Sequence, residues 1–126
     1  MKKAKASIDE SLRKLQTSYV DLLLIHQPFN DYYGTYRAME EACRVGKARA
    51  IGVSNFYPDR YVDLAAFCEI KPAVNQMELM FSASRSFLQE IMRRYGTQLM
   101  SWGPFGRGPQ RILYERNASD DRGKVW

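Results

Sequence analysis

The segment Tyr19-Val20-Asp21-Leu22-Leu23-Leu24-Ile25-His26 constrains the fold of this chain more than any other. It is short, almost continuously apolar, and closed by Gln27-Pro28. A strand apolar on both faces has to be covered on both, the condition of a strand inside a parallel sheet. Three more stretches read as strands: Ala48 to Asn55, Ala73 to Glu78 after the break at Pro72, and Gln98 to Trp102. The intervals between them carry helical spacing. Ala4, Ile8, Leu12 and Leu15 predict a first helix. A second starts near Thr35, turns Ala38, Met39, Ala42 and Cys43 inward and stops at Gly46. Pro58 opens a third through Val62, Leu64 and Phe67. Ser84 or Ser86 caps a fourth, which carries Phe87, Leu88, Ile91, Met92 and Tyr95 and ends at Gly96.

Strands that alternate with helices of this length imply repeated βαβ crossovers, hence an α/β fold on a parallel sheet. The chain has 126 residues, about half the ~250 of a complete eight-stranded α/β barrel. The expectation is therefore a partial (β/α)8 barrel with about four parallel strands. Periodicity ends after Pro109, so residues 1–109 are expected to form the barrel domain and residues 110–126 an irregular polar tail.

Apolar content of 45% and charged content of 26% belong to an ordinary globular chain. No stretch approaches the ~20 apolar residues of a membrane span, so no membrane partner is expected. The basic start, Met1 to Ala6, is followed by no apolar core of a secretory signal, which points to the cytoplasm. The formal charge of +5 comes from lysines and arginines spread along the chain. Spread charge makes a solvated surface and not a nucleic-acid footprint, so no nucleic-acid partner is expected. Cys43 and Cys68 have no C-x-x-C spacing and no histidine nearby in sequence, which argues against a metal site or a disulfide framework.

In parallel α/β folds functional groups gather at the C-terminal ends of strands. Those ends here hold His26, Ser54 with Asn55, Gln76 with Glu78, and Trp102 with the loop Gly103-Pro104-Phe105-Gly106-Arg107-Gly108. His26 is either a satisfied structural residue or a group that hydrogen-bonds a substrate carbonyl and relays protons. Ser54 and Asn55 serve either as a helix N-cap or as polar contacts to an amide-bearing ligand. Gln76, in an apolar strand, needs partners for its amide. Trp102 is either core or a stacking platform for an aromatic ring. Phe105 to Gly108 could bring backbone and a guanidinium to a phosphate, but match neither G-x-G-x-x-G nor a P-loop. Asp31, Tyr32, Tyr33 and Tyr36 form either a helix start or part of a substrate rim.

Four of these segments, taken in order, resemble the aldo-keto reductases: Asp21-Leu22-Leu23-Leu24-Ile25-His26-Gln27-Pro28, Gly52-Val53-Ser54-Asn55-Phe56, Val74-Asn75-Gln76 and Trp102-Gly103-Pro104-Phe105-Gly106. The resemblance runs from about Ala6 to Gly108 and implies the fourth to seventh strands of the family's barrel. It implies an oxidoreductase that transfers a hydride from NADPH to an aldehyde or ketone. By the same resemblance His26 orients the small carbonyl substrate, and Ser54, Asn55 and Gln76 bind the nicotinamide carboxamide. Trp102 takes the place of the ring-stacking aromatic, while Phe105, Gly106 and Arg107 lie in the loop over the cofactor phosphates.

There are departures. The family's tyrosine proton donor, with the lysine and aspartate that tune it, belongs to the first three strands. Its NADPH 2′-phosphate segment follows the eighth. This chain contains neither. Met80-Phe81 stands where a more polar pair is common, and beyond Gly108 the sequence leaves the family's pattern. An open four-stranded parallel sheet also leaves two edges, at the strands of His26 and Trp102, so self-association or a partner chain is expected. The resulting expectation is a family member with little or no activity as an isolated chain, or a non-catalytic barrel half that acts by association.

Overall fold

A computed structural model of the protein describes residues 1–78 and 84–103. Its elements alternate without exception: α1 (Lys2–Leu15), β1 (Val20–Ile25), α2 (Tyr32–Arg44), β2 (Ala48–Ser54), α3 (Pro58–Phe67), β3 (Val74–Glu78), α4 (Ser84–Arg94) and β4 (Gln98–Trp102). The strands form one parallel sheet in the order β1-β2-β3-β4. Sequential order means that every crossover advances in the same direction. Because such crossovers are right-handed, the helices then lie on one face of the sheet. The 110–126 tail falls outside the described residues.

Alternation along the strands separates two sets of side chains. Ile25, Ile51 and Val53 are buried in the main core, with Leu23 and Leu99 packed against it. Tyr36, Met39, Tyr61, Leu64 and Met92 of the helices complete that core. The other face carries Leu22, Leu24, Ala50, Val74, Gln76, Met100 and Trp102, all only part-buried. β1 was expected to be covered on both sides, yet of its residues only Ile25 is buried and Asp21 is exposed. The reason is architectural: half of a barrel cannot fill its own interior layers. Gly52 marks the tightest point of this inner face, where an added Cβ would lie 2.6 Å from the Val74 carbonyl oxygen.

The helices match their expected spans with one shift. α2 begins at Tyr32, not near Thr35, because the Asp31 carboxylate caps it by accepting the Gly34 N–H at 2.8 Å. Tyr32 and Tyr33 stack at 4.5 Å between centroids, and Tyr36 is fully buried, so these residues build a helix start. Apolar residues at the margin of the stripes point outward: Leu15 and Phe87 are both 64% exposed, and Val62 38%. A helical stripe only covers its central residues when no neighbouring helix flanks it.

Two buried polar contacts from α2 hold the segment that feeds β3. The Glu40 carboxylate accepts the Glu69 and Ile70 N–H groups at 2.7 and 2.8 Å, and the Tyr36 hydroxyl donates to the Ile70 carbonyl at 3.0 Å. Burial pushes the Tyr36 phenol far up, which keeps it a donor. Farther along, Thr97 donates to the Pro72 carbonyl and shares a hydrogen bond with the Tyr61 hydroxyl, each 2.5 Å. Glu40→Ala would strand two backbone donors, and a loss of about 2–3 kcal/mol in unfolding free energy is expected. Urea denaturation measures it, and Glu40→Gln, which keeps one acceptor for those donors, should lose less.

Candidate active site at the strand ends

The C-terminal ends of all four strands meet around one cavity of about 320 Å³, lined by His26, Gln27, Ser54, Asn55, Gln76 and Trp102. β1 ends at Ile25, which leaves His26 as the first residue beyond it, exposed on the rim. Ser54 is the last residue of β2 and is buried. Gln76 sits level with Ser54 on one side and with Met100 on the other. Trp102 closes β4 and is part-exposed. Thus five residues taken from sequence converge in space. Phe105, Gly106 and Arg107, with Met80-Phe81, lie outside the described residues.

Asn55 organises this end of the sheet. Its φ of 59° lies in the left-handed region, which asparagine tolerates better than most residues. That turn aims its backbone N–H at the Gln76 carbonyl, 2.9 Å away. Its side-chain nitrogen donates to the His26 carbonyl at 3.2 Å and to Ser54 Oγ at 3.0 Å. Its Oδ1 accepts the Trp102 indole N–H at 3.2 Å. Ser54 Oγ in turn donates to the Gln76 carbonyl at 2.8 Å. One side chain and its neighbour thereby join the ends of β1, β2, β3 and β4.

Neither Ser54 nor Asn55 caps α3, whose N-cap position is Tyr57 followed by Pro58. Both amide protons of Asn55 are already committed, leaving a lone pair of Oδ1 for anything in the cavity. The Gln76 side chain is differently placed: among the described residues its Nε2 donates to the thioether of Met100 at 3.3 Å. Thioether sulfur is a weak acceptor, so this amide can turn to a better partner at low cost.

Sequence reasoning missed Asn75 as a support of the site. It is fully buried on the helix face, and its amide donates to the Phe56 carbonyl at 2.7 Å. That bond fixes the residue after Asn55. The sequence signal was available, since an amide in an apolar strand has to find a partner. Among the described residues no group of three or more histidine, cysteine, aspartate or glutamate side chains could hold a metal ion. No described helix is long and apolar enough to cross a membrane.

The architecture and motifs have close counterparts. The chain is 42% identical over 104 residues to glyoxal reductase of Bacillus subtilis, covering 82% of this chain and 38% of that protein. It is 39% identical over 107 residues to morphine 6-dehydrogenase of Pseudomonas putida, covering 82% and 36%. A Bombyx mori aldo-keto reductase solved in complex with NADP superimposes with a TM-score of 0.76 at 32% identity, covering 85% of this chain and 38% of that one. The chain thus spans well under half the length of these relatives, as a partial (β/α)8 barrel does. The model of the aldo/keto reductase family matches residues 1–124, and to that family the chain belongs.

Proposed function

We propose that this chain forms the substrate-orienting and nicotinamide-facing part of an oxidoreductase that transfers a hydride from NADPH to an aldehyde or ketone. The convergence of His26, Ser54, Asn55, Gln76 and Trp102 on one cavity, in a chain of this family, carries the reading. The lining fits a nicotinamide. A carboxamide needs one donor and one acceptor, and the Gln76 amide supplies both, with the remaining lone pair of Asn55 Oδ1 as a second acceptor. The part-exposed indole of Trp102 offers the flat face for the ring. Phe105, Gly106 and Arg107 take the phosphates in this reading.

NADPH, when bound, supplies the hydride. His26, on the exposed rim, donates a hydrogen bond to the substrate carbonyl oxygen and so fixes which face of the carbonyl is presented. Ser54 and Asn55 act mainly by position: they hold Gln76, Trp102 and the His26 backbone at fixed separations. Two free thiols, Cys43 and the buried Cys68, suit a reducing cytoplasm. The isolated chain has little or no turnover, because the developing alkoxide meets no positioned acid, a contribution of ~10²–10⁴-fold. The part-exposed inner face of the sheet favours a second role, that of a barrel half that works in association with another chain.

Purified chain mixed with NADPH and a panel of aldehydes should show no oxidation above the blank, read at the nicotinamide absorbance. Robust turnover would contradict that. Residues 1–103 grafted in place of the matching segment of the Bacillus subtilis glyoxal reductase should support NADPH-dependent aldehyde reduction. In that graft His26→Ala should cut kcat/KM about 10²-fold, roughly 2.7 kcal/mol of transition-state stabilisation, with NADPH affinity unchanged. A folded graft that is inactive, or indifferent to His26→Ala, would sink the reading.

A further inference from the structure

We infer that Met100 is a positioning residue for the candidate site: its thioether decides which end of the Gln76 amide serves the cavity, and so sets the site for a ligand group that carries N–H. The inference deepens the nicotinamide reading above and rests on it.

Gln76 is held from two sides. From β2, the Asn55 N–H and the Ser54 hydroxyl both donate to its backbone carbonyl, at 2.9 and 2.8 Å. Those bonds fix where the residue stands but say nothing about how its side chain is turned. That is settled from β4. The register puts Met100 level with Gln76, so the two side chains leave the same face of the sheet. There the Gln76 Nε2 donates to the Met100 sulfur at 3.3 Å. Both residues are part-buried, and Gln76 lines the cavity that also holds His26, Asn55 and Trp102.

A thioether accepts a hydrogen bond and has no proton to give. It can therefore pair with Nε2 and not with Oε1. The bond is weak, but the reversed amide is worse: Oε1 would then lie against the sulfur lone pairs with no hydrogen bond made. With Nε2 on Met100, Oε1 is turned away from it as an acceptor. The amide nitrogen carries two protons, so one stays on the sulfur and the second is left for a ligand. Gln76 Oε1 and the remaining lone pair of Asn55 Oδ1 then make two acceptors on one cavity. A primary carboxamide, whose nitrogen brings two N–H groups, matches them. A ketone of the same shape does not. A serine or threonine hydroxyl at position 100 would impose no such choice, because it donates as well as accepts. An unbranched, adaptable methionine imposes it while still filling the space between the strands.

Nuclear magnetic resonance on the full chain tests the inference in two steps. Without cofactor, the parent should show an Overhauser contact between a Gln76 side-chain amide proton and the Met100 methyl, with that amide held rigid. Met100→Leu conserves volume, a change that cores tolerate, and should leave the amide mobile. Titration with NADP⁺ and with its 3-acetylpyridine analogue, which has a methyl ketone for the carboxamide, then reads the consequence. The parent should bind NADP⁺ about fivefold more tightly than the analogue, and Met100→Leu less than about twofold, the loss expected of roughly one hydrogen bond. A purely structural effect of the substitution would weaken both ligands alike. A ratio unchanged in Met100→Leu therefore overturns the inference while the nicotinamide reading stands. So does a Gln76 amide equally rigid in both proteins, or a parent that binds the two ligands equally. A parent that binds neither contradicts the nicotinamide reading itself, and the inference falls with it.

Discussion

The side chain of Asn55 is the point on which the functional end of this molecule depends. Parallel strands end in separate loops, and nothing in a ladder of backbone hydrogen bonds fixes the side chains beyond its last rung. Asn55 does so by entering the left-handed region and spreading its amide between the His26 carbonyl, Ser54 Oγ and the Trp102 indole. Its backbone reaches Gln76 from the same turn. Four strand ends that are far apart in sequence become one polar surface. The cost is that Asn55 has little left for a ligand, so in the proposed reading amide recognition falls to Gln76. In this molecule the residue that builds the site and the residue that offers free hydrogen-bonding capacity are different ones.

Much of this was legible from the amino acids. Apolar runs bounded by proline and glycine placed the four strands, and helical spacing placed the helices between them. The polar residues at strand ends pointed to His26, Ser54, Asn55, Gln76 and Trp102 before any geometry. What spacing could not show is how an amide divides its hydrogen bonds, so Asn55 read as a ligand contact or a cap when it is chiefly a brace. Glu40 was equally hidden. A glutamate on a helix reads as solvated, yet here the fold turns it onto two backbone donors of a distant loop. Tertiary packing also decided the margins of the helices: Phe87 and Leu15 belong to apolar stripes, yet among the described residues both stay 64% exposed.

The half-barrel shape links the energetics to the function. A complete barrel buries the inner faces of its strands by closing on itself, and this sheet leaves Leu22, Leu24, Val74 and Met100 partly open to solvent. The pressure to cover that face and the need to complete the candidate site act in the same direction. Both are met by more strands. The opposite face is better covered, with Tyr36, Tyr61, Leu64 and Met92 of the helices fully buried. The unfinished inner face is also the one on which the nicotinamide and the carbonyl substrate would lie.

The central claim is that Asn55 holds the site together as a brace, and its own substitution tests it most directly. Equilibrium urea unfolding of Asn55→Ala should show a loss of about 2–4 kcal/mol from its three side-chain hydrogen bonds and the positive φ. Asn55→Gly loses the same bonds without the backbone cost, and should recover about 1 kcal/mol of that loss. An Asn55→Ala protein as stable as the parent would contradict the account, for it would mean that the four strand ends hold their places without the amide.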